Sequence, residues 1–82
     1  MVESELESII GYLHELEEDT QIPKNVRTRI SEIIDILKED TEISMRINKA
    51  QDQLEDISND TNLQSFTRTQ IWNVQSLLES LE

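Results

Sequence analysis

Three side chains in the N-terminal part of the chain have the types and the spacing of a metal-binding group. His14 is the only histidine, and Glu17 and Glu18 follow it three and four residues later, which places all three on one helical face. Imidazole and carboxylate groups both bind divalent metals. Di-metal sites in helical bundles, however, use two Glu-x-x-His motifs on inward faces, whereas this chain offers one histidine in the reverse order. An exposed histidine among acids is therefore the preferred interpretation, with no metal ligand assigned.

The other polar residues form no combination that is typical of a catalytic site. The chain has no cysteine and one glycine, Gly11, so it offers neither a thiolate nucleophile nor a glycine-rich phosphate loop. Only His14 could activate a serine, and the serines fall at helix caps or on polar faces. The many carboxylates lie on solvated faces without the apolar pocket that tunes a catalytic carboxyl group. We therefore expect a non-enzymatic protein without catalytic or cofactor-binding residues, a cofactor or a small-molecule substrate.

The charge of the chain is strongly acidic and unevenly distributed. The formal net charge is −11, and residues 1–22 contain seven acidic side chains but no lysine or arginine. Nucleic-acid binding needs a basic face that neutralises phosphates, so we expect no nucleic-acid partner. No apolar run approaches the roughly 20 residues that span a bilayer, which predicts a soluble, cytoplasmic protein without membrane contact. The acidic surface is either a solvated face or a docking site for a basic partner.

An internal repeat indicates how the chain is built. Residues 13–30 recur as residues 54–71, about 41 positions later, and a period near 40 with a polar turn is typical of a two-helix repeat unit. The identical pairs are Leu13/Leu54, Asp19/Asp60, Thr20/Thr61, Arg27/Arg68, Thr28/Thr69 and Ile30/Ile71. We expect one helical domain over residues 1–82, with a first repeat over about 4–40 and a second over about 41–82.

Apolar residues at steps of three and four predict four amphipathic helices. Their stripes are Leu6, Ile9, Ile10, Leu13 and Leu16; Val26, Ile30, Ile33, Ile34, Ile36 and Leu37; Ile43, Ile47, Ala50, Leu54 and Ile57; and Phe66, Ile71, Val74, Leu77, Leu78 and Leu81. Short connections make consecutive helices antiparallel. The predicted fold class is therefore all-α, a compact four-helix bundle made of two repeated antiparallel αα-hairpins.

The predicted helix starts depend on capping residues. Ser4 with a glutamate three residues later resembles a capping box and predicts the start of the first helix near residue 4. Pro23 fits the first turn of the second helix, where its missing N–H is harmless. Asp40 or Thr41 is the predicted cap of the third helix.

The repeat resembles a HEAT-type helical hairpin. The first copy has Asp19 in the turn, then Pro23, then Val-Arg opening the second helix, and the second copy keeps Asp60 and Arg68 but lacks the proline and the valine. The resemblance implies that Asp19, Arg27, Asp60 and Arg68 form structural ion pairs. Because two units are fewer than the three that a free-standing solenoid usually needs, a closed bundle or an oligomer is expected.

Nearly the whole chain is also similar to a small archaeal family of helical proteins, uncharacterised protein family 0147. The similarity lies in the string DTQIPKNVR at residues 19–27, in ISND at 57–60 and in TRTQIWN at 67–73. It implies an all-helical protein of archaeal origin and adds no activity, because none is assigned to that family.

Trp72 is the residue that most suggests an interface. Stepping about 100° per residue places Trp72 opposite the apolar stripe of the fourth helix, with Arg68 one turn earlier on the same face, and Met45 lies off the stripe of the third helix. Tryptophan and arginine dominate protein interfaces, so Trp72, Arg68 and Met45 are the candidate contact for a protein partner or a homodimer. The alternative is that Trp72 is buried by a second neighbour or shields the Asp–Arg pairing.

These observations predict a non-enzymatic helical module for protein–protein interaction or scaffolding. The second hypothesis is an acidic accessory protein that docks a basic partner, such as a ribosomal or chromatin protein. The third is a metal-binding helical protein. The first two differ in salt response, because electrostatic docking weakens with ionic strength and an apolar contact does not.

Overall fold

The computed structural model describes residues 2–81, which form four α-helices: α1 (Val2–Glu18), α2 (Lys24–Leu37), α3 (Ile43–Ser58) and α4 (Ser65–Glu79). Each helix packs against its neighbours in the chain, and α1 also packs against α4, so the helices close into a ring. The predicted all-α four-helix bundle is confirmed. The terminal residues of the predicted domain, 1 and 82, lie outside the described residues. None of the described helices is long and apolar enough to cross a membrane.

The core consists of aliphatic side chains from all four predicted stripes. Fully burying a leucine or isoleucine contributes roughly 1.5–3 kcal/mol, most of which the loss of chain entropy offsets. The buried aliphatic residues are Leu6, Ile9, Leu13, Leu16, Ile22, Val26, Ile30, Ile33, Ile34, Leu37, Ile47, Ala50, Leu54, Ile57, Leu63, Ile71, Val74 and Leu78. Two of them, Ile22 and Leu63, lie in equivalent turns of the two repeats, so each repeat also anchors its turn in the core.

The prediction for the stripe of α4 is wrong at two positions. Phe66 is 73% exposed and Leu77 is 45% exposed, whereas Thr67 is buried. The buried positions of α4 recur at steps of three and four from Thr67, so the inward face is narrower than the apolar sequence suggests. Phe66 and Leu77 lie to one side of that face.

The predicted capping residues do not start the helices. α1 begins at Val2 and not at Ser4, and α3 follows Glu42 and not Asp40 or Thr41. The residues before α2, α3 and α4 each have an extended backbone (ψ between 138° and 148°) and no side-chain cap. Pro23 directly precedes α2 and accepts hydrogen bonds from Val26 and Arg27 at 3.0 Å through its carbonyl, so the backbone itself begins the helix.

Gly11 lies in the middle of α1, is exposed, and has open space where a Cβ would be. Glycine in a helix interior is less favourable than alanine because it loses more chain entropy on folding. We therefore expect Gly11→Ala to raise the free energy of unfolding by about 0.5–1 kcal/mol, measured by urea unfolding followed by circular dichroism. Gly11→Ser serves as a graded control and should fall between glycine and alanine. A less stable Gly11→Ala variant would contradict the prediction.

Candidate functional site

Among His14, Glu17 and Glu18, which were considered as metal ligands, the structure shows one contact. His14 Nδ1 lies 3.2 Å from Glu17 Oε1, and the histidine is exposed. The described residues contain no group of three or more histidine, aspartate or glutamate side chains that could hold one metal ion. The pair therefore joins two side chains of one turn of α1 and belongs to no larger ligand set among the described residues.

The two aspartates of the repeat form the same turn in both copies. Oδ1 of Asp19 accepts the backbone N–H of Gln21, and Oδ1 of Asp60 accepts that of Asn62, each at 2.9 Å. In each turn the aspartate carbonyl also accepts the N–H of the residue three positions on, at 3.1 Å and 3.2 Å. Both turns are thus Asx turns, which place the following aliphatic residue in the core.

The repeated arginines bind the carbonyl groups of these turns. Arg27 Nε donates to the Ile22 carbonyl at 3.0 Å. Arg68 donates through Nε to the Ser58 carbonyl at 3.0 Å and through Nη2 to the Asp60 carbonyl at 2.7 Å. The resemblance implies Asp–Arg ion pairs. In the structure, the aspartate and the arginine of each repeat instead bind backbone groups of the turn of that repeat.

The ion pairs of the described residues involve other side chains. The carbonyl of Ser58, the last residue of α3, lacks an intrahelical donor, so it accepts a hydrogen bond from the guanidinium group of Arg68. The pairs are His14–Glu17 at 3.2 Å, Arg29–Asp56 at 3.5 Å, Arg46–Glu3 at 3.3 Å and Lys49–Glu39 at 3.3 Å.

The remaining turn uses a third arginine that the sequence analysis missed. Arg46 Nη1 donates to the Leu37 carbonyl at the end of α2 at 3.1 Å, while its Nη2 reaches Glu3 Oε1 of α1 at 3.3 Å. Arg27, Arg46 and Arg68, the turn arginines, are each the fourth residue of their helix. That shared position is the signal by which the sequence could have revealed Arg46.

Met45 is 51% exposed, as expected for a residue off the stripe of α3. Met45 and Lys49 are four residues apart on one face of α3, and Lys49 Nζ contacts Glu39 Oε1 just after α2. Met45 therefore lies on the outer face of α3, beside Lys49.

Trp72 is 53% exposed, so the alternative that a second neighbour buries it is wrong. The carbonyl of Gln75, three residues later, accepts a hydrogen bond from Gln51 of α3 at 2.9 Å, so this flank of α4 adjoins α3. Arg68 shares the flank, but its guanidinium binds the turn carbonyls. The structure thus places Trp72 and Arg68 together and Met45 on another side.

A groove that the sequence analysis also missed lies between α1 and α4. Its volume is about 380 Å³, and its lining residues are Glu5, Ser8, Ile9, Tyr12, Leu77, Ser80 and Leu81. The contact between α1 and α4 is the least extensive of the four helix contacts, which leaves this seam partly open. The sequence signal was Leu77, an apolar residue beside the narrow inward stripe.

The fold places this chain in the class of small all-α proteins that form four-helix bundles. Several of its large apolar side chains are exposed, and the described residues contain no metal-binding cluster. Within that class, the chain belongs to the uncharacterised protein family UPF0147, whose family model matches residues 1–81. No activity is attached to that description.

The relatives share both sequence and fold. A UPF0147 protein of Methanosarcina mazei is 43% identical over 70 residues, which are 84% of this chain and 75% of the relative. The crystal structure of a UPF0147 protein from Thermoplasma acidophilum superposes with a TM-score of 0.92 at 26% identity, covering 98% and 95% of the two chains. That of the unknown-function protein MMP1188 gives 0.88 at 38% identity, covering 95% and 90%. The fold is therefore that of a solved family member.

Isothermal titration calorimetry with Zn²⁺ or Mn²⁺ tests the group at His14. We expect no binding at micromolar metal concentrations, because one imidazole and one adjacent carboxylate leave most of the coordination sphere to water. His14→Ala provides the matched control. Binding to the wild type that His14→Ala removes would contradict this interpretation.

Unfolding of a variant tests the turn arginines. We expect Arg68→Met to lower the free energy of unfolding by about 2–3 kcal/mol, because two carbonyls lose a charged donor. Arg27→Met removes one such bond, so its loss should be smaller. Lys38→Met is the control, since Lys38 is exposed and its side chain has no hydrogen-bond partner among the described residues. Equal losses for Arg68→Met and Lys38→Met would show that net charge matters and the carbonyl bonds do not.

Proposed function

We propose that this protein is a non-enzymatic module for protein–protein interaction or scaffolding. The observation that carries the proposal is that three of the four large hydrophobic side chains exposed among the described residues lie on α4: Phe66, Trp72 and Leu77. Aromatic side chains supply large contact areas and lose little conformational freedom on binding. α4 is therefore the helix that we assign to partner binding.

Trp72 has the surroundings of an interface anchor. Its neighbours Ile71 and Val74 are fully buried, so the core fixes the backbone from which the indole extends. A side chain held this way loses little further backbone entropy when a partner covers it. Tryptophan is also among the residues most enriched at interface hot spots.

The distribution of charge favours a second copy of the chain as the partner of the Trp72 flank. Two molecules with a net charge of −11 repel each other over most of their surface. α4 carries only two charged residues, Arg68 and Glu79, and these have opposite signs. Two copies that meet through α4 avoid the acid–acid contact that α1 would impose. Such a contact would be isologous, with the same flank on both subunits.

A second candidate function is supported by α1. This helix carries six glutamates and no lysine or arginine, which is the pattern of an acidic surface that docks a basic partner. In that case the protein would act as an acidic accessory protein. Its binding would weaken steeply as ionic strength rises, whereas the Trp72 contact would persist.

Light scattering after size exclusion tests the first proposal, with wild type and Trp72→Ala each run at low and high salt. We expect a salt-resistant dimer for the wild type and a monomer for Trp72→Ala, because the variant loses the central apolar contact. Met45→Ala is the matched control, since Met45 is equally exposed but lies on another side. A wild-type monomer in every condition, or equal loss in both variants, would overturn the assignment of Trp72.

A further inference from the structure

The groove between α1 and α4 has an apolar floor, and both of its walls include apolar side chains. Ile9 is buried at its base, and Tyr12 of α1 faces Leu77 and Leu81 at the end of α4. Leu77 is 45% exposed, so much of its surface has no covering side chain. The space is therefore an apolar seam that the bundle leaves open.

The apolar side of α4 continues beyond the groove. Phe66, 73% exposed, lies 11 residues before Leu77, which corresponds to about three helical turns and about 16 Å on the same side of α4. A small molecule that filled the groove would leave Phe66 in water. An amphipathic helix of three to four turns, with apolar anchors at steps of three and four from i to i+11, matches that length.

The two walls of the seam differ in charge. On α1 the residues at steps of three and four along this side are Glu5, Ser8, Tyr12 and Glu15. On α4 the corresponding side carries Phe66, Gln70, Asn73 and Leu77, followed by Ser80 just after the helix, and none of these is charged. The lysines and arginines of the chain lie on α2, α3 and the α2–α3 turn, except Arg68, which binds turn carbonyls. The α1 wall is therefore acidic, and the α4 wall is neutral.

We propose that this groove binds an amphipathic helix of a partner protein whose lysines or arginines follow one flank, the flank that meets α1. The apolar stripe of the helix packs on Tyr12, Leu77 and Phe66, and its basic flank faces Glu5 and Glu15. Complementary charge fixes the orientation of the bound helix and speeds its association. This inference rests on the proposed function, since it names the partner class of an interaction module.

The groove and the Trp72 flank are separate surfaces. Trp72 and Leu77 are five residues apart, which turns their side chains about 140° from each other around α4. Trp72 adjoins α3, whereas Leu77 faces α1. A self-contact through Trp72 therefore leaves the groove free, and each surface can be tested without the other.

The probe for the experiment is a fluorescein-labelled synthetic helix of about four turns, with leucines on one stripe and lysines on one flank. A second peptide carries glutamates in place of the lysines. We expect fluorescence anisotropy to show the lysine peptide binding at least about tenfold more tightly than the glutamate peptide. Leu77→Ala should weaken binding about tenfold, with the fold checked by circular dichroism.

Two glutamates of α1 provide a matched pair of variants. Glu5 lines the groove, whereas Glu7 faces the α2 side of the helix. We expect Glu5→Gln to weaken binding of the lysine peptide about two- to fivefold and to reduce its salt dependence. Glu7→Gln removes the same charge and should leave the affinity unchanged, as should Trp72→Ala.

Three outcomes would overturn the proposal: equal affinity for the two peptides, equal effects of Glu5→Gln and Glu7→Gln, or an unchanged affinity in Leu77→Ala. Equal effects of the two glutamates would mean general attraction to an acidic protein. Loss of peptide binding in Trp72→Ala alone would place the helix on the other flank of α4. In each of these cases, a salt-resistant dimer in light scattering would still support the interaction function. Failure of the groove proposal can therefore be distinguished from failure of the proposed function.

Discussion

The bundle depends on how the carbonyl groups of its turns are satisfied. No described residue adopts a positive φ, so none of the helices ends in the left-handed cap that usually supplies donors to the last carbonyls. The turn arginines, each at the fourth position of a helix, supply donors instead: Arg46 and Arg68 bind the last carbonyls of α2 and α3, and Arg27 binds the Ile22 carbonyl within the first turn. Each guanidinium group joins its own helix to the turn before it, and that of Arg46 also binds the end of the preceding helix. These bonds fix the direction in which the chain reverses.

The sequence predicts the core better than it predicts the contacts of the turns. The spacing of Leu13, Ile30 and Ile71 determines burial directly, because a helix can turn only one stripe inward. The partners of Arg27 and Arg68 depend on where the turn carbonyls point, which spacing does not specify. Arg46 was missed because its counterpart one repeat earlier is Glu5, so the internal repeat gives no hint of it. Phe66 and Leu77 were misplaced because their hydrophobicity suits a core as well as a surface.

The proposed contacts are concentrated on α4 because the four helices differ in charge and in exposed apolar side chains. α1 carries much of the acidity, and α4 is nearly neutral. α2 and α3 carry five of the seven basic side chains, and four of these five are in ion pairs or turn contacts. A neutral helix beside an acidic one gives the molecule two different flanks around a single element. One flank of α4 suits contact between like-charged copies, and the other suits a basic helix of a partner. α4 could therefore connect self-assembly to partner binding.

The order in which the helices pack has a kinetic consequence. Three of the four helix contacts join neighbours in the chain, and only the contact of α1 with α4 brings distant segments together. Local contacts cost little loop entropy, so we expect fast folding in which the hairpins form first and the ring closes last. Substitutions in the α1–α4 seam should then accelerate unfolding and leave the folding rate nearly unchanged in stopped-flow measurements. The same seam that leaves a groove for a partner would thus control how long the bundle stays closed.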